Sequence, residues 1–463
     1  MKFELDKNVK IVMVFVIAAA VLTIAQSIVT TGVVCIMDDF GVSSTIAQWT
    51  YSSFLLVVGV MIPLSAFISK RFHVRHVFLT AMGLFIMGSL IAFLAPTIEI
   101  LICGRIIEAI GNGIIIPFVQ ILLLKMVPEE KWQMYMGVLG LVVGIAPVCG
   151  SLIGGFIIDY YTWRAIFLLL TILAIVITII GLVYINIDFG TEDYPLDYLS
   201  VLLSVIGCSG IMFGFTNTAE YGLLSSFVIL PIIIGFIALI LFVNRQRNLD
   251  KPLINLDVIK NKYFTLGLLF VCILYFCLNG YTALVPLFVQ GVAHYSPSTS
   301  AMIIFPGALI MIFCNILAPA LVNRIGIKKV LIISCILCII GHGSMVFYTA
   351  QSSVLFMILT QMLRLVGVGF ALMPATTWSL TMVSDKIEDG TAVNNTLRQI
   401  SAAIGSSMLV VIVSLIAGGS ISHNLASEIA FNQTAFIVVL LNVMMLLITI
   451  FFINDKDKIE SKI

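Results

Sequence analysis

Residues 101–124, LICGRIIEAIGNGIIIPFVQILLL, form an apolar run in which only two side chains, Arg105 and Glu108, carry charge. At a rise of about 1.5 Å per residue, a helix of this length is long enough to cross a bilayer. Positions i and i+3 share one face of a helix, so the two charges lie side by side. Because charge at membrane depth is costly, we expect this face to meet a water-filled path or a partner inside a helix bundle.

The whole chain has the composition of a helical membrane protein. Of its 463 residues, 61% are hydrophobic and 10% are charged, and the mean hydropathy is +1.17. A soluble chain carries roughly 25% charged residues. The composition therefore excludes the soluble classes and indicates an all-α polytopic membrane protein.

Two further classes of site are not expected. The nine cysteines lie almost wholly in apolar runs and lack metal-ligand spacing with histidine, so we interpret them as small hydrophobic residues and expect no metal site. The sequence contains no Walker loop or nucleotide fingerprint, which argues against ATP as the direct energy source and against a bound cofactor.

Apolar stretches of about 20 residues, separated by short polar segments, predict fourteen membrane spans. We number them 1 to 14 in chain order: 11–35, 49–68, 77–95, 100–124, 134–157, 165–186, 198–218, 225–244, 264–289, 300–322, 329–350, 354–378, 400–418 and 434–453.

The positions of the basic residues predict the orientation. If both termini are cytoplasmic, 21 of the 24 lysines and arginines, Arg398 among them, fall in cytoplasmic segments. The exceptions are Arg105 and Arg364 within spans and Arg164 at an outer edge. This distribution agrees with the positive-inside rule.

A six-span unit recurs in the sequence. The loops 69–75 (SKRFHVR) and 323–329 (NRIGIKK) share a basic pattern, and each is followed two spans later by an arginine-bearing helix with glycines and a proline. Parallel six-helix repeats are typical of one large class of secondary transporters, whose substrate site lies between the halves near the midplane. We therefore predict an N-terminal bundle (1–187), two inserted helices (188–246), a cytoplasmic amphipathic connector (247–263) and a C-terminal bundle (264–463). We expect the connector to be helical from Lys251 to Phe264.

Several short motifs follow one another in a recognisable order along the chain. They are Gln48-Trp49, Pro63-Leu64, Arg71 with Arg75, Arg105 with Gly111 and Pro117, residues 146–155, residues 159–164, residues 251–253, Pro306-Gly307 and residues 390–399. Over essentially its whole length the chain resembles the fourteen-span drug:proton antiporter group of the major facilitator superfamily. The resemblance implies the major facilitator fold, a multi-pass position in a bacterial cytoplasmic membrane, and no enzymatic activity.

The resemblance also implies roles for three groups of residues. They are a cytoplasmic gating motif (Lys70, Arg71, Arg75, with Arg324 and Lys328 in the second copy), an antiporter motif that seals the halves (Ala146, Pro147, Gly150, Gly154, Gly155) and an outer stretch with Asp159 and Arg164. The gating motif departs from the family pattern because Lys70 replaces the usual acid and His73 the usual glycine. Ser151 stands where the family has proline. The alternative interpretations are a plain topology signal for the basic loops and ordinary tight packing for the glycines.

Arg105 and Glu108 are the candidate proton-coupling pair. Proton coupling requires a carboxylate that gains and loses a proton as its surroundings alternate between wet and dry. The resemblance implies such an acid in span 1, but the equivalent stretch contains Gln26 instead. A carboxylate lost from one cavity helix and gained at Glu108 in another suggests a relocated proton site. The alternative is a structural salt bridge that holds span 4 to its neighbours.

Five side chains are candidates for the cavity and substrate site: Gln26, Arg105, Glu108, Arg364 and His342. Arg364 either lines the cavity or anchors the outer edge of span 12. His342 lies mid-span beside two glycines, where it either titrates or packs as a hydrogen-bonded core residue.

These features favour a proton-coupled exporter of bulky hydrophobic or amphipathic compounds, of the multidrug and antibiotic-resistance type. The alternative is an exporter or flippase-like carrier of an endogenous anionic, zwitterionic or lipid-like metabolite, since two arginines against one glutamate suit lipophilic cations poorly. A third class, a membrane sensor that transports nothing, has only the motif departures in its favour. We expect a small-molecule substrate, a lipid bilayer around the protein, no nucleic-acid partner and a monomer.

Overall fold

The computed structural model describes residues 7–42, 44–186, 197–250, 252–295, 297–417 and 425–453. The regular structure in these ranges is helical, as expected. The α-helices are α1 (Lys7–Ile28), α2 (Val33–Phe40), α3 (Ser44–Met61), α4 (Leu64–Arg71), α5 (Val74–Phe93), α6 (Ile98–Met126), α7 (Trp132–Tyr160), α8 (Arg164–Tyr184), α9 (Tyr198–Thr216), α10 (Thr218–Tyr221), α11 (Ser226–Asn248), α12 (Lys262–Leu287), α13 (Pro297–Ile325), α14 (Ile327–Met345), α15 (Val354–Thr381), α16 (Ile387–Ile416) and α17 (Leu425–Phe452). Short 3₁₀ segments occur at Val29–Gly32, Glu129–Lys131, Leu256–Lys260 and Ser384–Lys386, and a π segment at Phe288–Val292.

Within the described ranges, twelve helices are long and apolar enough to cross a membrane. They correspond to all the predicted spans except 2 and 5. Span 2 coincides with α3 and α4, which are separated by a break at Ile62–Pro63, and span 5 coincides with the 29-residue α7.

The start of predicted span 13 was wrong by about three turns. It was placed at residue 400, but α16 begins at Ile387. The added turns contain Asp389, Asn394 and Asn395, all of which are buried. Hydropathy missed them because they face the other half of the protein rather than lipid.

The connector is not an α-helix from Lys251 to Phe264, as the sequence pattern suggested. Its only helical segment among the described residues is the 3₁₀ segment Leu256–Lys260, before α12 begins at Lys262. The side chains of Asn255 and Asn261 accept hydrogen bonds from backbone N–H groups that follow them. Asparagine side chains that bond the local backbone in this way end one helix and start the next.

The two bundles pack around a central seam. In the N-terminal half α5 packs on α6 and α1 on α7; in the C-terminal half α14 packs on α15 and α12 on α16. The halves meet where α7 packs against α13 and where α16 contacts α4 and α6.

The inserted pair, α9 and α11, fills the gap between the halves on one side. The two helices approach closely because Gly207, Gly210 and Gly235 line their contact; a Cβ added at Gly210 would lie 3.0 Å from the Cα of Gly235. α9 also packs against α3 of the N-terminal half and α16 of the C-terminal half. α9 is therefore part of the central structure, and α11 packs mainly against α9.

An ion pair closes the end of the inserted pair where α9 begins. Arg245 donates to Asp197 from Nε (2.6 Å) and from Nη2 (2.8 Å). These bonds, followed by one from Ser200, lower the pKa of Asp197 from its ordinary 3.8 to about 2. A carboxylate whose pKa is depressed on folding stabilises the fold above its unfolded pKa and loses that contribution as pH falls towards the folded value.

We therefore expect Asp197→Asn to lower the thermal unfolding midpoint of purified protein at pH 7 by roughly 1–3 °C, since the pair is partly exposed and solvent-screened. The difference between the variant and the wild type should shrink between pH 4 and pH 2. Unfolding scans at pH 7 and pH 3 measure it. Equal differences at both values would contradict the assignment.

Candidate functional site

A cavity of about 1,040 Å³ lies at the junction of the two halves and the inserted helix α9. Its walls come from α1, α3, α6, α9, α12 and α16. The lining residues are Thr23, Gln26, Trp49, Tyr51, Ser52, Leu55, Leu56, Val58, Ile62, Ile116, Pro117, Met212, Phe213, Asn217, Tyr275, Asn279, Thr282, Ala283, Asn395, Arg398, Gln399, Ala402, Ala403 and Ser406. A volume of this size accommodates a drug-sized molecule.

The cavity wall is amphipathic. Trp49 of α3 and Phe213 of α9 stack with their ring centroids 5.7 Å apart, and Gln26 of α1 and Tyr51 of α3 add polar groups to the same lining. Gln26, predicted as a cavity residue, is therefore on the wall. Of the described lining residues, Arg398 is the one that carries a charge at neutral pH.

Arg105 and Glu108 are fully buried inside the N-terminal bundle and are not among the lining residues. They form an ion pair. Ser89 Oγ of α5 donates to Glu108 Oε1 at 2.5 Å, and Arg105 Nε donates to the carbonyl of Thr50 on α3 at 3.0 Å. The pair thus ties three helices together just behind the cavity wall, because Thr50 adjoins the lining residue Tyr51.

Arg364 and His342 are buried in the C-terminal bundle and also lie off the cavity wall. His342 Nδ1 is 2.9 Å from the carbonyl of Cys338, and its ring is 4.8 Å from that of Tyr281. The Arg364 guanidinium lies 5.6 Å from the Tyr281 ring centroid. Two of its nitrogens, Nε and Nη1, are buried without a hydrogen-bond partner among the described residues.

Equivalent glycine contacts align the two halves residue by residue. A Cβ added at Gly88 would lie 2.9 Å from the Cα of Glu108, and one at Gly341 would lie 2.7 Å from the Cα of Arg364. A Cβ added at Gly111 would lie 3.2 Å from the backbone nitrogen of Phe85, and one added at Gly367 would lie 2.8 Å from that of Cys338.

This alignment corrects the pairing of the two arginines that the sequence repeat suggested. Arg364 occupies the place of Glu108, Gln361 that of Arg105, and His342 that of Ser89. The motif comparison missed this because it aligned arginine with arginine, whereas the packing glycines set the register. The two halves therefore carry opposite charges at equivalent positions.

A polar latch closes the seam between the halves at the ends of α4 and α16. Lys70 Nζ lies 2.7 Å from both carboxylate oxygens of Asp389, which also accepts a hydrogen bond from the backbone N–H of Asn255 at 2.9 Å. Lys125 pairs with Glu388. Deeper in the seam, Asn395 Nδ2 donates to Gln120 Oε1 at 2.9 Å.

Lys70, the departure from the family pattern, thus supplies the positive charge of the latch, and Asp389 of the other half supplies the acid. Of the remaining predicted gating residues, Arg75 and Arg324 are exposed, and Arg71 and Lys328 are half-buried.

The glycines of α7 face two different neighbours. Gly137, Gly140 and Gly144 face the C-terminal half; a Cβ added at Gly137 would lie 2.7 Å from Pro319 of α13. Gly150 instead packs against Ile24 and Ser27 of α1, within its own half. Ala146 and Gly154 are buried, while the surroundings of Pro147, Gly155 and Asp159, all on α7, lie outside the described part of the structure.

Arg164 pairs with Asp39, near the end of α2. Its Nη1 is 2.5 Å from Asp39 Oδ2, and Trp163 Nε1 donates to the same oxygen at 3.1 Å. These bonds, with that from Arg164 the stronger, lower the pKa of Asp39.

Residues 15–406 match the Major Facilitator Superfamily. The chain belongs to this superfamily. It is therefore a multi-pass membrane transporter and not an enzyme, with the all-helical fold that the sequence predicted. Among the residues described, no group of three histidine, cysteine or acidic side chains could hold a metal ion.

Known relatives are similar to this chain over most of its length. The MFS-type transporter YcnB of Bacillus subtilis strain 168, itself uncharacterised, is 32% identical over 407 residues, which are 87% of this chain and 86% of YcnB. The lincomycin resistance protein LmrB of Listeria innocua is 32% identical over 381 residues, 82% of this chain and 81% of LmrB. The human organic anion transporter MFSD10 has the same fold, with a TM-score of 0.65 and 13% identity, over 95% of this chain and 99% of its own.

Sequence reasoning missed two functional candidates, Asp389 and Arg398. Arg398 was assigned to the cytoplasmic side, whereas it lies in α16 on the cavity wall. The signal that could have found it is the polar stripe Asn395, Arg398, Gln399 and Ser406, whose members recur at helical spacing on one face.

Proposed function

We propose that this transporter is a proton-coupled exporter of bulky hydrophobic or amphipathic compounds that works by alternating access. The observation that carries the proposal is the amphipathic cavity between the halves, which is large enough for a drug-sized molecule. The likeness to a lincomycin resistance protein supports an exported drug as cargo.

The proposed topology has fourteen spans, with both termini in the cytoplasm. The twelve long apolar helices form twelve of the spans, α3 together with α4 forms another, and α7 forms the last. The latch then lies on the cytoplasmic side, because Lys70 and Asp389 occupy segments that the distribution of basic residues assigns there. The described arrangement would be closed to the cytoplasm, and opening would require the latch and the Gln120–Asn395 bond to break.

Proton coupling is proposed to use Glu108. Glu108 is held by Arg105 and Ser89, and Arg105 in turn is bonded to the Thr50 carbonyl. Thr50 adjoins Tyr51 on the cavity wall, so substrate bound against this wall would hold α3 where the Thr50–Arg105 bond and the Arg105–Glu108 pair are both intact. Pairing with Arg105 favours the ionised form of Glu108, and protonation of Glu108 would weaken the pair and release α3. Substrate and proton would thereby oppose each other through α3, as antiport requires.

The test is substrate-driven proton movement in proteoliposomes that contain a trapped pH dye. Lincomycin added to wild-type vesicles should move protons, and Glu108→Gln should reduce this movement at least tenfold, because glutamine has nearly the same shape and keeps one acceptor oxygen but cannot titrate. Glu130→Gln, which removes an exposed carboxylate, is the matched control and should match the wild type. Proton movement in Glu108→Gln equal to that of the wild type would contradict the proposed role of Glu108 in coupling. No proton movement with any substrate in the wild type would end the antiport proposal.

A second candidate function is export of an endogenous anionic, zwitterionic or lipid-like metabolite. The observation that favours it is the charge of the cavity wall, where Arg398 has no acidic counterpart among the described lining residues. In either case the protein is proposed to act as a monomer with the proton as coupling ion, no further cofactor and no nucleic-acid partner.

A further inference from the structure

Arg398 is placed in the cavity without a partner of opposite charge. Its Nε is buried and has no hydrogen-bond partner, and no ion pair joins it to a carboxylate in the part of the chain described. The nearest acidic residue on its own helix is Asp389, nine residues away, or about 13 Å along α16, and Asp389 is committed to Lys70. Glu108 is likewise committed to Arg105. The positive charge of Arg398 is therefore available to whatever occupies the cavity.

The guanidinium of Arg398 lies over an aromatic ring. Its Cζ lies 4.8 Å from the centroid of the Tyr275 ring of α12, a cation–π contact that orients one face of the group. On the cavity side of α16 the next turn carries Ala402 and Ala403, whose small side chains leave space beside the arginine. The planar fork of arginine binds a carboxylate or a sulfonate through two parallel hydrogen bonds, which lysine cannot do.

The rest of the wall suits the apolar body of such a ligand. The stacked pair Trp49 and Phe213 lies on the walls formed by α3 and α9, whereas Arg398 belongs to α16 of the C-terminal half. The other polar lining residues of α12 and α16, on the arginine-bearing side, include Asn279, Thr282, Asn395, Gln399 and Ser406. One side of the cavity is thus cationic and polar, and another is aromatic.

We propose that Arg398 is a specificity-determining residue that binds the acidic group of an amphipathic organic anion, with the apolar body of that anion against Trp49 and Phe213. The ligand class is a carboxylate or sulfonate attached to a bulky apolar skeleton. This inference rests on the proposed function in one respect, that the central cavity is the substrate site. Among the amphipathic compounds of the proposed function, it singles out anions as the class that binds most tightly.

The test compares two ligands that differ only in charge. Saturable binding of tritiated cholate, a steroid carboxylate, and of its uncharged methyl ester is measured by scintillation proximity on purified full-length protein. Wild type should bind cholate at least tenfold more tightly than the ester. Arg398→Gln should weaken cholate binding at least tenfold and leave ester binding within twofold, whereas Arg398→Lys should recover part of the cholate affinity. Arg247→Gln, which removes an exposed arginine at the end of α11, should match the wild type.

Three results would overturn the assignment: no saturable cholate binding to the wild type, cholate binding by Arg398→Gln within twofold of the wild type, or equal loss of cholate and ester in Arg398→Gln. The last result would mean that Arg398 supports the shape of the cavity and not charge recognition. Flux of cholate and lincomycin in proteoliposomes separates the two proposals. Charge-selective binding without flux of either probe would defeat the export function and leave the anion site standing.

Discussion

Arg105→Gln is expected to destabilise the N-terminal bundle by about 3–5 kcal/mol, because it leaves the Glu108 carboxylate buried without its counter-charge. Both side chains are completely buried, so solvent cannot replace the lost partner. Lower pH should recover part of the loss, since protonation removes the uncompensated charge. The measurements are the yield of monodisperse protein and the thermal unfolding midpoint at pH 7.5 and 5.5.

The double variant Arg105→Gln/Glu108→Gln is the matched control for this effect. Two amides leave no uncompensated charge, and the glutamine that replaces Glu108 keeps a hydrogen bond to Ser89, so stability should return to within about 1–2 kcal/mol of the wild type. The double variant should fold but show no proton coupling. A single variant as stable as the wild type, or a double variant no better than the single one, would contradict the interpretation of the pair as a mutually compensated buried site.

Lys70→Ala is expected to shift the protein towards a form that is open at the latch. Asp389 would lose both short contacts to Lys70 while remaining buried. A charge-assisted hydrogen bond contributes about 2 kcal/mol, which corresponds to a shift of the open population of about 10- to 30-fold. The readout is the rate of maleimide labelling of Gln120→Cys, a position deep in the closed seam, with exposed Cys103 replaced by serine.

The control for the latch is Lys260→Ala. Lys260 is exposed and pairs with Asp257 three residues away within the connector, so its loss breaks no contact between the halves. Labelling of Gln120→Cys in that background should equal the wild-type rate. The charge-reversed pair Lys70→Asp/Asp389→Lys should restore slow labelling, because an ion pair again joins the halves. The recovery should be partial, since the Asn255 N–H would then face a lysine instead of a carboxylate. Unchanged labelling in Lys70→Ala would mean that the latch does not control opening.

Much of the architecture could be predicted because hydropathy and charge placement act through the membrane itself. The spans, the repeated basic loops and the buried Arg105–Glu108 pair all follow from the cost of exposing polar or charged groups to lipid. Predictions failed where the polar side chains of a segment face another part of the protein or bond the local backbone, because hydropathy does not register these contacts. α16 was predicted too short because its first turns face the other half, and the connector was predicted to be helical although Asn255 and Asn261 divert its backbone.

The sequence by itself determined the class of the protein, its internal repeat and the presence of a buried ion pair, because each of these depends on local composition and spacing. Only the tertiary structure decided which side chains face the cavity. It moved Arg398 onto the wall and Arg105, Glu108, Arg364 and His342 behind it, and it paired Lys70 with Asp389 across 319 positions of sequence. Such choices depend on which face of each helix meets its neighbours. Close glycine contacts, such as Gly88 with Glu108 and Gly341 with Arg364, set the rotation of each helix about its axis. Contacts of this kind join distant segments, so neither segment predicts them by itself.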